Sequence, residues 1–147
     1  MRLNLDCIRA ILLCVEEYSA PNKNPIQFVN TELAEKISEM LGDNPKLSPY
    51  QQKLMEEYSN NEIIYSLNYC IEAGLLHSLT PPSHGIHVYH ISDLTVKGHD
   101  FLGSIRYQTV FEKIKNIVKE LGAQSVPAVM QISSLVTSEL IKSHFVP

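Results

Sequence analysis

Five of the six histidines fall between positions 77 and 99, and three of them, His84, His87 and His90, stand three residues apart. Imidazole nitrogens are common zinc ligands, so a metal site is the first chemistry to weigh. The spacing argues against it. Polar and apolar residues partly alternate from Ile86 to Leu94, a strand pattern, and a strand sends successive side chains to opposite faces, so His87 points away from His90. His84 stands in a Pro82-Ser83-His84-Gly85 turn, so the three would converge only across a bend. Zinc sites more often use cysteine pairs at short spacing or histidines one helical turn apart, and neither arrangement occurs. No metal and no cofactor are expected.

The other reactive side chains read as structural. His99 follows Gly98 at a helix start with Asp100 beside it, but neighbours on a helix point about 100° apart, so Asp100 is not placed to orient that ring. We expect His99 to be half-buried, tying the helix start to the strands before it. Cys7, Cys14 and Cys70 all lie in apolar helical patterns, and an odd count without paired spacing gives no disulfide framework. Cys70 shares a stripe with Ile63 and Leu67 and has no histidine near it in sequence, which favours core packing over a nucleophile. A Gly-rich phosphate loop, a nucleophile elbow and a paired-carboxylate pattern are all missing. The chain therefore reads as non-enzymatic, with no catalytic residue.

The elements that carry these residues are mostly helices. Asn4 can cap a helix to about Tyr18 whose apolar positions, widened by Cys7 and Cys14, suit cover on more than one side. After a Pro- and Asn-bearing loop, Ile26 to Val29 can form a short strand. A helix from Asn30 or Thr31 then carries Leu33, Ala34, Ile37, Met40 and Leu41 on one face. Ser48-Pro49-Tyr50-Gln51 has the signature of a helix start, running to about Tyr58. Ser59 with Glu62 repeats it for a helix over 60–73 that ends at Gly74. Leu75 to Leu79 and Ile86 to Leu94 read as two strands. Helical patterning resumes after Thr95 and continues to Gly122 with a break near Gly103, and a last helix runs from Val126 to Ser143.

Helices followed by a two-stranded ribbon is the element order of a winged helix. The expected fold is mainly α with a small β-hairpin: a winged-helix-like core over 1–103 plus C-terminal helices over 104–147 that pack on the core or form a dimer contact. In that frame 60–73 is the third helix of the core, and Asp93-Leu94-Thr95-Val96-Lys97-Gly98 leaves the wing.

Several phrases fall in one order: Asn4-Leu5-Asp6, Glu62-Ile63-Ile64-Tyr65-Ser66-Leu67, Asp93-Leu94-Thr95 with Gly98-His99-Asp100-Phe101-Leu102, and Arg106 with Thr109-Val110-Phe111. Together they resemble the domain of unknown function 2513 family. Members usually have an aromatic residue where Val96 stands and a more acidic segment where Tyr107-Gln108 stands. The resemblance implies a winged-helix-like fold and a bacterial or phage setting; it implies no activity and supplies no catalytic or binding residue.

Partners must be argued from charge and exposure. The formal net charge is −4, and through Gly103 seven Lys/Arg stand against 13 Asp/Glu, or −6, while from Ser104 onward five stand against three, or +2. On the third helix of the core Ile63, Leu67, Cys70 and Gly74 form the inward face. Asn61, Glu62, Tyr65, Asn68, Tyr69 and Glu72 are then left toward a partner or a nucleic acid, with no cation among them. Two carboxylates oppose the phosphate contacts on which DNA affinity rests. A candidate basic patch, Arg106, Lys113, Lys115 and Lys119, lies on the following helix and could equally be a solvated face. The last helix is nearly free of charge, and Val129, Met130, Leu135, Val136 and Leu140 are expected in a helix-helix contact, mainly between two chains. The apolar run from Ala10 to Val15 is too short to span a membrane, and Asp6 and Arg9 do not suit a signal peptide, so a cytoplasmic homodimer with no membrane partner is expected. The first function expected is a regulatory module of bacterial or prophage origin that can bind duplex DNA as a dimer, which the family setting favours; the alternative, which the acidic charge favours, is a module that binds another protein through the tyrosine-bearing helix or the last helix.

Overall fold

The computed structural model describes residues 2–20, 24–42, 47–79, 88–123 and 125–145, except the side chains of Ile37, Ser38 and Leu41. It is mainly helical with one small antiparallel sheet, as the patterning predicts. Helix α1 (Leu5–Tyr18) begins where the Asn4 side chain accepts from the Cys7 amide at 3.1 Å. Its buried positions, Cys7, Ile8, Ile11, Leu12, Cys14 and Val15, are too many for one neighbour to cover. Helices α3 (Pro49–Met55), α4 (Asn60–Glu72) and α5 (Val96–Ile105) and strand β3 (Val88–Leu94) all pack on it. Each fully buried leucine or isoleucine contributes about 1.5 to 3 kcal/mol, so the buried face of α1 is a large share of the apolar stabilisation.

Among the described residues the expected pair of strands is joined by the short strand read at Ile26 to Val29, making three. Strand β1 (Ile26–Val29) pairs antiparallel with β3, Ile26 opposite Ile91, and β2 (Leu76–Ser78) pairs on the other side of β3, giving the order β1-β3-β2. The outer edge of β1 is sealed by α3. The Tyr50 hydroxyl accepts from the Gln27 amide at 2.8 Å. The fully buried Gln51 side chain accepts from the Val29 amide at 2.8 Å and donates to the Val29 carbonyl at 2.7 Å. Gln51 thus stands in for a neighbouring strand, and two backbone groups that would otherwise be buried unpaired are satisfied.

Helix α2 (Thr31–Leu41) is tied to the body at its first turn, where Asn60 accepts from the Thr31 amide at 2.9 Å and donates to the Asn30 side chain at 3.3 Å. Ala34 is buried, but Met40, expected on the same inward face, is 84% exposed. The contacts that anchor α2 lie at its start, one helix length away from Met40.

After α4, Gly74 at φ 75° turns the chain into β2, a left-handed conformation that costs a side-chain-bearing residue more. The same turn fixes the start of α5. The Thr95 hydroxyl donates to the Gly74 carbonyl at 2.5 Å and accepts from the Gly98 amide at 2.9 Å, and the Thr95 amide donates to the Leu75 carbonyl at 3.0 Å. His99, expected to make this tie, is exposed instead; the threonine hydroxyl already satisfies the turn. Gly98 lies so close to Leu75 that a Cβ there would stand 2.1 Å from the Leu75 carbonyl oxygen.

Helix α5 runs through Gly103 to Ile105, and the break expected near Gly103 falls at Arg106 and Tyr107, before α6 (Gln108–Leu121) begins. Arg9 on α1 explains the position: its guanidinium donates to the Ile105 carbonyl at 2.8 Å and to the Arg106 carbonyl at 2.5 Å, so the chain can turn without leaving these carbonyls unpaired. Helix α7 (Val126–Phe145) closes the chain and packs on α5 and α6. One hydrophobic cluster joins Ile8, Leu67, Ile91, Leu102, Phe111, Ile114, Val126 and Val129, so the C-terminal helices share the core of the first hundred residues. Val96 and Tyr107, where the sequence departs from the family it resembles, are both exposed and do not touch that core. Among the described residues no helix is long and apolar enough to cross a membrane.

Two glycines of α5 should respond to the same substitution with opposite signs. Gly98→Ala forces a Cβ into backbone and is expected to destabilise by about 3 kcal/mol, whereas Gly103→Ala, with nothing within 4 Å, should stabilise by roughly 0.5 to 1 kcal/mol. Urea denaturation followed by circular dichroism measures both. Equal effects would refute the close approach at Leu75.

Candidate functional site

Helix α4 starts with a complete capping box: the Ser59 hydroxyl accepts from the Glu62 amide at 3.2 Å, and the Glu62 carboxylate accepts from the Ser59 amide at 3.3 Å. Ile63, Ile64, Leu67 and Cys70 then turn inward against α1. The six residues expected to face a partner do share the opposite side, but only Asn61 and Glu72 are exposed; Glu62, Tyr65, Asn68 and Tyr69 are half-buried. Asn61 donates to Glu32 on α2 at 3.4 Å, and Asn68 donates to the Tyr89 hydroxyl on β3 at 3.3 Å. Tyr65 donates to Tyr69 at 3.3 Å, with the rings edge to face at 4.9 Å. That hydrogen bond, together with burial, raises the Tyr65 pKa, so the phenol stays neutral.

The four cations read as a basic patch do not act together. Arg106 makes a two-pronged ion pair with Glu16 on α1, one arm at 2.7 Å. Lys115 bonds Asp6 at 3.0 Å and Glu112 at 3.5 Å, and lies 5.2 Å from the centre of the Phe111 ring. Lys113 and Lys119 are exposed and form no ion pair among the described residues. Two of the four therefore tie α1 to distant chain, Arg106 at the break between α5 and α6 and Lys115 on α6 itself, a role local sequence could not reveal because Asp6 and Lys115 are 109 positions apart.

The structure instead gathers residues from both predicted sets. Glu62, Tyr65 and Ser66 of α4 face Lys115 and Lys119 of α6 across a groove of about 750 Å³. Arg2, which no sequence signal singled out, and Asp6, read in the sequence only as part of the Asn4-Leu5-Asp6 phrase and at the first helix, line its end.

The five residues expected at a dimer contact separate by helical phase. Val129 and Val136 are buried with Val126 and Ser133 on the side that α5 and α6 cover, so the surface covering them is the chain's own and they are not inter-chain residues. Met130 is half-buried. Leu135, 62% exposed, and Leu140, 37% exposed, are joined on the outside by Ile141 and by Phe145, 77% exposed.

His84 and His87 lie outside the described residues, and among the described residues no group of three or more His, Cys, Asp or Glu side chains could hold a metal ion. Burial pushes the Cys7 thiol up to about 11 and the Cys14 thiol up to about 12, and raises Cys70 as well. All three stay protonated near neutral pH and are poor nucleophiles.

A family model described as Hypothetical protein (DUF2513) matches residues 2–124, from the start of α1 through the end of α6. No curated protein and no solved structure matches the chain.

The Arg106 pair makes a pH-dependent contribution. Hydrogen bonding to Arg106 holds the Glu16 carboxyl below its usual value, so the pair stabilises the fold above the ordinary carboxylate range and its contribution fades as pH falls through the lowered value. With both side chains about a third exposed, the gain is modest. Arg106→Gln should be less stable than the unsubstituted protein at neutral pH, and urea titrations should show the gap closing in acid. A gap independent of pH would rule the pair out as its source.

Proposed function

The chain belongs to the domain of unknown function 2513 family, and from that premise we propose that it is a non-enzymatic, winged-helix-like module that binds another protein through α4. The observation that carries this reading is the composition of the outward side of α4: two tyrosines, two asparagines and two carboxylates, with no lysine or arginine. Tyrosine supplies large contact area at small entropic cost and is enriched in protein interfaces. The order helix, strand, helices, strand, strand, with β3 between β1 and β2, supports the winged-helix comparison, with α4 the helix immediately before the two strands compared to a wing.

That same comparison supports a second reading, a regulator of bacterial or prophage origin that binds duplex DNA. Charge is against it. DNA affinity rests on phosphate neutralisation, and the cations nearest α4 include one already committed to Asp6. A salt titration of binding to mixed-sequence duplex DNA, read by fluorescence anisotropy, decides between the two. The protein-binding reading expects no appreciable binding even at low salt. Tight binding that weakens steeply with salt would replace it with the second.

We also propose that the module pairs with a second copy through the outer side of α7. Leu135, Leu140, Ile141 and Phe145 leave apolar surface in water, and covering a leucine-sized side chain is worth roughly 1.5 to 3 kcal/mol. Because Leu135 faces away from the chain's own core, Leu135→Glu should leave the fold intact while placing a carboxylate in the seam. Light scattering with circular dichroism should find a dimer for the unsubstituted chain and a folded monomer for the variant. An unsubstituted chain that stays monomeric at high concentration refutes the pairing.

A further inference from the structure

The groove between the start of α1, one side of α4 and the end of α6 reverses the local charge balance. The chain as a whole carries a formal charge of −4, yet three cations, Arg2, Lys115 and Lys119, line this one groove against two carboxylates, Asp6 and Glu62. Both carboxylates are already engaged: Asp6 by Lys115 at 3.0 Å, Glu62 by the Ser59 amide at 3.3 Å. Arg2 and Lys119 have no ion-pair partner among the described residues. Leu3, Val118 and Ala123 add apolar lining, and Tyr65 adds an aromatic ring. At about 750 Å³ the groove falls within the size of small-molecule sites, roughly 300 to 1,000 Å³.

We propose that this groove binds a small organic anion with an aromatic or apolar body, its acidic group held by Arg2 and Lys119 and its body lying against Tyr65 and Val118. Each part of the lining has a separate task. Two uncommitted cations favour a carboxylate or phosphate, which can accept charge-assisted hydrogen bonds from both. Lys115 is already paired with Asp6 and Glu112, so it braces the groove wall and leaves the ligand's charge to Arg2 and Lys119. The apolar lining excludes water from the body of the ligand and selects against bare inorganic ions. The site shares Glu62 and Tyr65 with the outward side of α4 but does not depend on that side binding protein. Tyr65, which lines the groove, bonds to Tyr69 on the outward side, so the two surfaces share one aromatic pair.

The test uses the full chain, labelled with ¹⁵N, and three probes: phenyl phosphate, inorganic phosphate and phenol. Phenyl phosphate should give saturable amide shifts confined to residues 2–6, 62–66 and 115–123, at concentrations where neither half-probe saturates. Lys119→Glu should weaken it about tenfold or more, the loss expected for one charge-assisted contact. Lys113→Glu makes the same charge change on α6 outside the groove and should leave binding unchanged. The proposal is overturned by non-saturating shifts, by inorganic phosphate binding as tightly as phenyl phosphate, or by equal losses in the two lysine variants. Circular dichroism of both variants confirms that a lost shift is not a lost fold; if Lys119→Glu is unfolded, Lys119→Gln replaces it under the same criteria.

Discussion

Almost everything in this chain is arranged by the need to cover α1 on nearly all sides. A helix with six buried positions cannot be satisfied by one neighbour, and here α3, α4, α5 and β3 surround it. Its few polar side chains then become fixed points for distant parts of the chain. Arg9 takes the carbonyls of Ile105 and Arg106, Glu16 pairs with Arg106, and Asp6 pairs with Lys115. The end of α5 and the direction of α6 thus follow from three side chains on the first helix. The hydrophobic effect supplies the affinity between these elements but no direction; the ion pairs and carbonyl contacts select one angle among those the apolar surfaces allow.

The small sheet is held by the same economy of polar groups. A three-stranded sheet exposes two edges, and an unpaired edge beside a core is costly for the chain and an invitation to foreign strands. Tyr50 and Gln51 close the β1 side from a helix of only seven residues, and Gln51 does so with both ends of its amide. On the other side Thr95 and Gly98 close the turn beside β2, where the backbone of α5 comes nearer to Leu75 than any side chain would permit. A buried glutamine and a packed glycine, both easily passed over in the sequence, set the limits of the sheet.

Helix α4 serves three surfaces at once: an inward stripe on α1, a wall of the groove toward α6, and an outer face bearing Tyr69 and Glu72. A single helix can do this because residues at 3.6 per turn distribute round its axis, so neighbours such as Ile64 and Tyr65 belong to different environments. Its acidic and aromatic outer side, and the cations gathered behind it, give the two sides of one helix opposite chemical preferences.

Local pattern determined much of this by itself. The caps at Asn4, Ser48, Ser59 and Thr95 are readable because a capping side chain reaches a backbone amide only three residues on, and all four are made. The inward stripe of α4, the thiols in the core and the mainly helical character with a small sheet follow from periodicity in the same way. Tertiary structure decided what depends on residues far apart in the chain. Whether Lys115 is a free cation or a strut depends on Asp6, and whether Val129 meets a second chain or its own depends on where α5 and α6 lie. The break between α5 and α6 falls at Arg106 and Tyr107, and not at Gly103, because Arg9 from the first helix supplies hydrogen bonds there. A glycine raises the cost of a helix locally without compelling it to end, while an arginine arriving from 97 residues away makes ending it affordable at one place. The groove itself, assembled from α1, α4 and α6, exists only once all three have packed, and no window of the sequence contains it.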